Sequence, residues 1–277
     1  MTFFLYLCHM HYYQTIMRRT ALSLILILFA GIVCGTTPKR KKTRRTAPAR
    51  RTVKHVKKPV KLSIHDANPF RVCEDTCAHV HGIDVSHYQH DIFWHHIGDE
   101  TNIAYAYLKC TEGADNVDPY YQRNIETAQN HKLKVGSYHF FRPKVELNSQ
   151  LRNFNRQFMT CEQDLIPMLD VETLGGLPTQ QFCDSLLKML QLMEDTYHQK
   201  PLVYTYRNFY NENLQGRLDG YPLAIAMYAD EQPQLADGRD FIMWQYTCKG
   251  RLPGVKGEVD KSRLVGNHRL EEIFIIR

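Results

Sequence analysis

A closed or nearly closed α/β barrel is the architecture that the sequence predicts, on three observations. From Val80 onward, strand-like and helix-like segments alternate, which implies strands paired in parallel through helical crossovers. The strand candidates number about eight, with no internal repeat or second domain boundary between them. The 277-residue chain is long enough for one undivided core, because barrels often reach roughly 200 to 250 residues.

The N-terminal part precedes this pattern and reads differently. Arg18 and Arg19 stand before an apolar run, 21–34, which is short for a bilayer span and suited to the core of an export signal. Residues 1–37 are therefore expected to be a signal peptide or membrane anchor, with Met17 an alternative start. Cys34 suggests a lipoprotein, although Gly31-Ile32-Val33 lacks the small residue that lipid processing favours next to the Cys. The expected destination is export: periplasmic, extracellular or membrane-anchored.

Residues 38–78 are expected to be a basic, disordered linker. The stretch 38–61 (PKRKKTRRTAPARRTVKHVKKPVK) holds 12 Lys or Arg and no acid, too much charge for a buried core. Two readings stay open for it: a solvated spacer, or attraction to a polyanion such as nucleic acid, an anionic wall polymer or a membrane surface. Residues 1–61 carry 14 basic residues and no acid, whereas 62–277 carry 21 basic and 29 acidic residues, a net charge of −8. The overall +6 belongs to the arm, so it gives no reason to read the body as a nucleic-acid binder. Beyond Cys8 and Cys34, six cysteines remain, and sequence does not choose among their possible pairings. Cys73 and Cys77 are close enough for a local bridge, no second Cys or His pair follows at zinc-finger spacing, and Cys110 reads as a core residue.

In the body, a catalytic barrel over 79–277, the strand candidates are 82–86 (GIDVS), 103–111 (IAYAYLKCT), 134–140 (KVGSYHF), 166–172 (IPMLDVE), 202–205, 223–228, 241–246 and a short piece around 258–260. Helical spacing links Leu147, Leu151, Phe154 and Phe158, and again Phe182, Leu186, Leu190, Met193 and Tyr197. Asp118-Pro119 offers an N-cap and a first-turn proline to a helix carrying Tyr121, Ile125 and Ala128. Connections shorten after about Tyr228, leaving little room for helices.

The chemistry is placed at 166–172, an apolar run ending in Asp170 and Glu172. Residues i and i+2 of a strand share a face, so the two acids project side by side from its C-terminal end. Mutual repulsion raises one pKa and leaves one group an acid and the other an anion, the division of labour that glycosidic cleavage requires. Other polar residues also fall near strand C-termini, the rim where barrels build active sites: Asp84, Glu112, Tyr138, His139, Tyr206, Tyr228, Gln245 and Asp260. Tyrosines offer both a ring face and a hydroxyl, which suits a sugar. The plainer readings are that Tyr105 and Tyr107 fill the barrel, that His139 is a satisfied core histidine, and that Trp94 is a packing residue.

Taken in order, GIDVSHYQ (82–89), Trp94, LKCTEG (108–113), DPYYQRN (118–124), VGSYHFFRP (135–143), MLDVE (168–172), VYTYRNFY (203–210), IAMY (225–228), WQYT (244–247) and VDKSRL (259–264) resemble the family 25 glycoside hydrolases, CH-type lysozymes or N-acetylmuramidases. The resemblance implies an irregular TIM-like barrel of eight strands with fewer than eight helices. It further implies hydrolysis of the β-1,4 bond between N-acetylmuramic acid and N-acetylglucosamine in bacterial peptidoglycan. Glu172 is then the general acid and base, Asp170 stabilises developing charge or orients the substrate's N-acetyl group, and Asp84 and Asp260 line the cleft. The chain departs from the family pattern at His90, where glycine is common, and at Phe93, Cys110 and Ala224. Two other classes compete: a catalytically silent peptidoglycan-binding module, and a metal-dependent amidohydrolase drawing on His79-Val80-His81. No motif implies a cofactor or a metal, and a monomer is expected.

Overall fold

The computed structural model describes residues 79–159 and 162–276. The leader, the basic linker, Cys73, Cys77 and Cys161 lie outside the described residues. Eight strands close a barrel: β1 (His81–Val85), β2 (Ile103–Glu112), β4 (Lys134–Phe140), β5 (Met168–Asp170), β6 (Leu202–Tyr206), β7 (Leu223–Ala226), β8 (Met243–Gly250) and β9 (Val259–Leu264), with β9 returning to β1. The two-residue β3 (Asn116–Val117) folds back on the end of β2 outside the closed ring.

Pairing is parallel from β1 through β8 but antiparallel between β8 and β9 and between β9 and β1, which corrects the expectation of a wholly parallel sheet. Only the loop 251–258 joins β8 to β9, and a parallel crossover needs about a dozen or more residues, so the chain reverses instead. Reversal also places the start of β9, with Asp260, at the rim where the other strands end. The β5 strand is shorter than 166–172: Pro167 donates no hydrogen bond, and the ladder ends after Val171 N–H reaches the Tyr204 carbonyl at 2.9 Å.

Five α-helices are present among the described residues: α1 (Trp94–Glu100), α2 (Tyr121–Ala128), α3 (Leu147–Gln157), α4 (Thr179–Tyr197) and α5 (Arg207–Asn213). Spacing revealed α2, α3 and α4; α1 and α5 have seven residues each, too few for a period to stand out. Asp118 does not cap α2 directly. Its carboxylate accepts from Tyr120 N–H at 2.9 Å in the turn before the helix, and also from the His87 backbone N–H at 2.8 Å, tying the β1–α1 loop to α2.

Two apolar layers surround the strands. The outer one buries Leu108, Val135, Leu169 and Val203 against Phe154, Phe182 and Leu186 of the helices. The inner one fills the barrel with Tyr105, Tyr107, Met168, Leu202 and Met243, closed by Ile273 of the C-terminal turn, whose carbonyl accepts from Ile166 N–H at 2.9 Å. Tyr105 and Tyr107 are barrel filling; a Cβ on Gly82 or Gly136 would stand 2.0 Å or 2.5 Å from their rings, so both glycines are required by close approach. Trp94 is buried and donates from Nε1 to Asn124 Oδ1 at 3.2 Å, a packing residue.

His90 has φ 53° and ψ −134°, a backbone conformation that favours glycine. Such strain is worth about 1–3 kcal/mol, partly offset by glycine's greater freedom in the unfolded chain. His90→Gly is expected to stabilise the protein by about 1 kcal/mol and to raise Tm by a few degrees in a thermal melt; an unchanged or lower Tm would contradict the strain.

Candidate active site

Four carboxyl groups converge at the C-terminal rim. Asp84 is the last residue but one of β1, Asp170 ends β5, Glu172 follows it by two residues, and Asp260 is the second residue of β9; together with Tyr138, Met168, Tyr204 and Gln245 they line one cleft. Alternation explains the set. In β1 and β9, Asp84 and Asp260 lie directly opposite each other across the antiparallel pair and face the interior. Like charges so placed repel, a cost that stability alone would not select.

Hydrogen bonds orient part of this cluster. Tyr204 and Tyr228 donate their hydroxyls to Gln245 Oε1 at 2.8 Å and 3.1 Å, which turns the Gln245 amide N–H toward Asp84 Oδ2 at 3.0 Å. The second oxygens, Asp84 Oδ1 and Asp170 Oδ1, are buried without a protein partner. Burial, tempered by Gln245 and reinforced by Asp260, raises Asp84 to about 7. Burial and the charge of Glu172 raise Asp260 to about 6. Asp170 is pushed well above the usual carboxylate range by burial and then by Glu172. Glu172 is also raised by burial, while the hydrogen bond from Asp170 and the charges of Lys109 and Arg142 pull it back. Both members of the pair are thus held above the usual carboxylate range, and the two share a proton.

A bulge builds the cationic side. The register of β2 against β4 slips between Lys109 and Thr111. In an unbroken strand, positions 109 and 112 would face opposite ways; one extra residue brings them to the same side. Lys109 Nζ meets Glu112 Oε2 at 2.7 Å, and Arg142 clamps the other oxygen of Glu112 from Nε at 2.9 Å and from Nη2. Both cations lie over the Phe140 ring. Glu112 sits below the ordinary range because these two cations outweigh its burial.

The expected site residues separate accordingly. Asp84, Tyr138, Asp170, Glu172, Gln245 and Asp260 share the cleft; Tyr206 borders it through a 3.4 Å contact with the Tyr228 hydroxyl. Glu112 is committed to Lys109 and Arg142. His139 is not in the cleft. Adjacent residues of a strand face opposite ways, so Tyr138 takes the inside and His139 the outside, against Phe154. There it is fully buried, held neutral by burial with its pKa lowered to about 4, and bonded to Thr111 Oγ1 at 2.7 Å and Gln150 Oε1 at 3.2 Å. Gln150 in turn holds the backbone of Arg142. Tyr204, which also stands at a strand C-terminus, lines the cleft as well, while sequence reasoning missed Lys109, Arg142 and Met168. A lysine in the middle of an apolar strand was the available signal for the first, since a buried ammonium requires a counter-charge.

A larger cavity of about 280 Å³ lies at the outer faces of β1, β8 and β9, lined by His81, Tyr246 and Lys261, and shares no residue with the carboxyl cleft. His81 thus stands outside the barrel interior, and among the described residues no trio of His, Cys, Asp or Glu is placed to hold a metal ion.

Comparison with known proteins finds related chains and a similar fold. The family model of glycosyl hydrolases family 25 matches residues 83–255. The uncharacterized protein YegX of Escherichia coli (strain K12) is 33% identical over 198 residues, covering 70% of this chain and 72% of that protein. Lysozyme M1 of Streptomyces globisporus is 27% identical over 202 residues, covering 68% of each chain. The structure of a family 25 glycosyl hydrolase from Bacillus anthracis superposes with a TM-score of 0.63 at 29% identity, over 68% of this chain and 89% of that one.

A buried acid whose native pKa is raised destabilises the fold once the unfolded chain ionises. For Asp84 the loss begins near the unfolded value of 3.8 and is complete as pH passes about 7. Asp84→Asn is expected to be more stable than the wild type by a few kcal/mol above pH 7, with the difference vanishing toward pH 4. Melting curves of the two proteins across that range test it; a constant Tm difference would contradict the assignment.

Proposed function

The chain belongs to glycosyl hydrolases family 25, and from that premise we propose how the carboxyl cleft cleaves its substrate. The protein is a muramidase acting on the β-1,4 bonds of peptidoglycan. The observation that carries the reading of its residues is the Asp170–Glu172 pair with a buried, unpartnered oxygen on Asp170.

An acetamido N–H of the sugar supplies the donor that Asp170 Oδ1 lacks. A hydrogen bond to the ionised form lowers a carboxyl pKa, so this contact favours the Asp170 anion and leaves the shared proton on Glu172. Glu172 then protonates the glycosidic oxygen as the bond to the anomeric carbon breaks. Asp170 and Asp84, as anions in a site shielded from water, offset the positive charge that develops on the sugar. Water adds to the anomeric carbon, and its proton returns to Glu172. Tyr138 and Tyr204 remain neutral hydroxyls, their pKa values pushed up by burial and then by Asp170, and serve as hydrogen-bonding ring faces.

Glu172→Gln is expected to lower turnover about a hundred- to ten-thousandfold while leaving sedimentation with purified wall sacculi intact. Near-wild-type release of reducing ends by that variant would remove Glu172 from the role. A silent wall-binding module would release none with either protein. The pH profile should be a bell: turnover falls at high pH as the pair loses its shared proton, and at low pH as the remaining carboxylates are protonated.

For the N-terminal part, export is the proposed destination, and the 12 basic residues of 38–61 supply attraction to anionic wall polymer or membrane surface beside a body of net −8. Screening over about 8 Å at physiological ionic strength makes such attraction salt-sensitive. Retention on anionic walls should drop with rising salt in the full chain and be weak throughout in a chain starting near residue 62; equal retention would reduce the arm to a spacer.

A further inference from the structure

Lys109 is a buried ammonium at the carboxyl rim, with a side chain 10% exposed. The parity of β2 continues the inward-facing series Tyr105, Tyr107, Lys109, and the residue opposite it in the ladder is Tyr138, which lines the cleft. The bulge beyond Lys109 turns Glu112 to the same side, and the hydrogen bonds of Gln150 to the Arg142 N–H and carbonyl hold the third member in place. We propose that the Lys109–Glu112–Arg142 triad is the electrostatic support of the acid pair: Lys109 is a positioning residue that holds Asp170 and Glu172 to a single shared proton, and Glu112 is the counter-charge that limits its effect. The inference rests on the reading of Glu172 as the acid and adds the groups that set its working pH.

Charge balance in the cleft gives the reason. Facing the pair are Asp84 from β1 and Asp260 from β9, both acidic. Tyr138 from β4 and Tyr204 and Tyr206 from β6 face it as hydroxyls. Beyond β7, Tyr228 adds another hydroxyl. In the ladder Glu112 stands beside Phe140 and Phe140 beside Asp170, so the triad borders the pair; among the described residues the cations acting on it are Lys109, on both members, and Arg142, on Glu172. Without a cation, four carboxyl groups in one cleft would hold further protons at neutral pH, and the anions that stabilise the sugar's charge would be lost. With both cations uncompensated, the proton needed for acid catalysis would leave too early. Glu112 accepts from both and keeps the triad at a net charge of about +1.

The test is the pH dependence of kcat/KM on soluble wall fragments for the full chain carrying Lys109→Met, Lys109→Arg, Glu112→Gln or Glu172→Gln. Lys109→Met should move the whole bell to higher pH by about one unit. Lys109→Arg, which keeps the charge, should leave the bell where it is, and Glu112→Gln should move it to lower pH. A purely structural role would reduce activity or Tm without opposite displacements of the two profiles. If Lys109→Met or Glu112→Gln leaves the bell centred on the wild-type pH, or if both move it the same way, the proposal is overturned. Should Lys109→Met fail to fold, the direction of the Glu112→Gln shift decides alone. Glu172→Gln separates the two readings: retained turnover overturns the role of Glu172, whereas an inactive variant alongside unshifted profiles overturns the triad only.

Discussion

Four carboxyl groups held close together, at a rim they share with tyrosine rings, are the constraint on which the rest of this structure depends. Left to themselves they would repel one another or take up protons until the cleft was neutral. The fold answers with local devices. The antiparallel return of β9 adds to the repulsion by setting Asp260 against Asp84; against it, the amide of Gln245 gives Asp84 a donor, and the bulge in β2 gathers Lys109 and Glu112. The return of β9 and the bulge both depart from the most regular form of an α/β barrel, and both adjoin the cleft.

The remaining scaffold makes these positions rigid. Strands buried on both faces hold the rim, with aromatic rings inside and helices outside. His139 illustrates how far the support extends. It touches no part of the cleft, yet as a neutral imidazole between Thr111 and Gln150 it joins the end of β2 to the loop that presents Arg142. Packing of the scaffold and support of the cleft meet in that one buried ring.

Much of this was legible in the sequence because it is periodic. The bounds of β4 coincide with the expected 134–140, and α3 and α4 carry the apolar spacing that announced them. The Asp-x-Glu spacing placed Asp170 and Glu172 together even though β5 ends between them. What stayed hidden is aperiodic or long-range. A bulge leaves no mark in a pattern of period two, so the partnership of Lys109 with Glu112 could not be read. Asp118 looked like a helix cap because Asp-Pro is a common helix start, but its carboxylate serves a loop 31 residues earlier in the chain. Of Tyr138 and His139, both expected at the cleft, the alternation of the strand allows only one inside.

The central claim, that the cleft holds protons at pH values where ordinary carboxyl groups are ionised, is tested most directly by a carbon-13 NMR titration of the side-chain carboxyl groups of Asp84, Asp170, Glu172 and Asp260. The account predicts that Asp84 titrates near 7 and Asp260 near 6, with the Asp170–Glu172 pair giving up its shared proton above the usual carboxylate range. Titration of all four groups near the ordinary values, about 4, would contradict it.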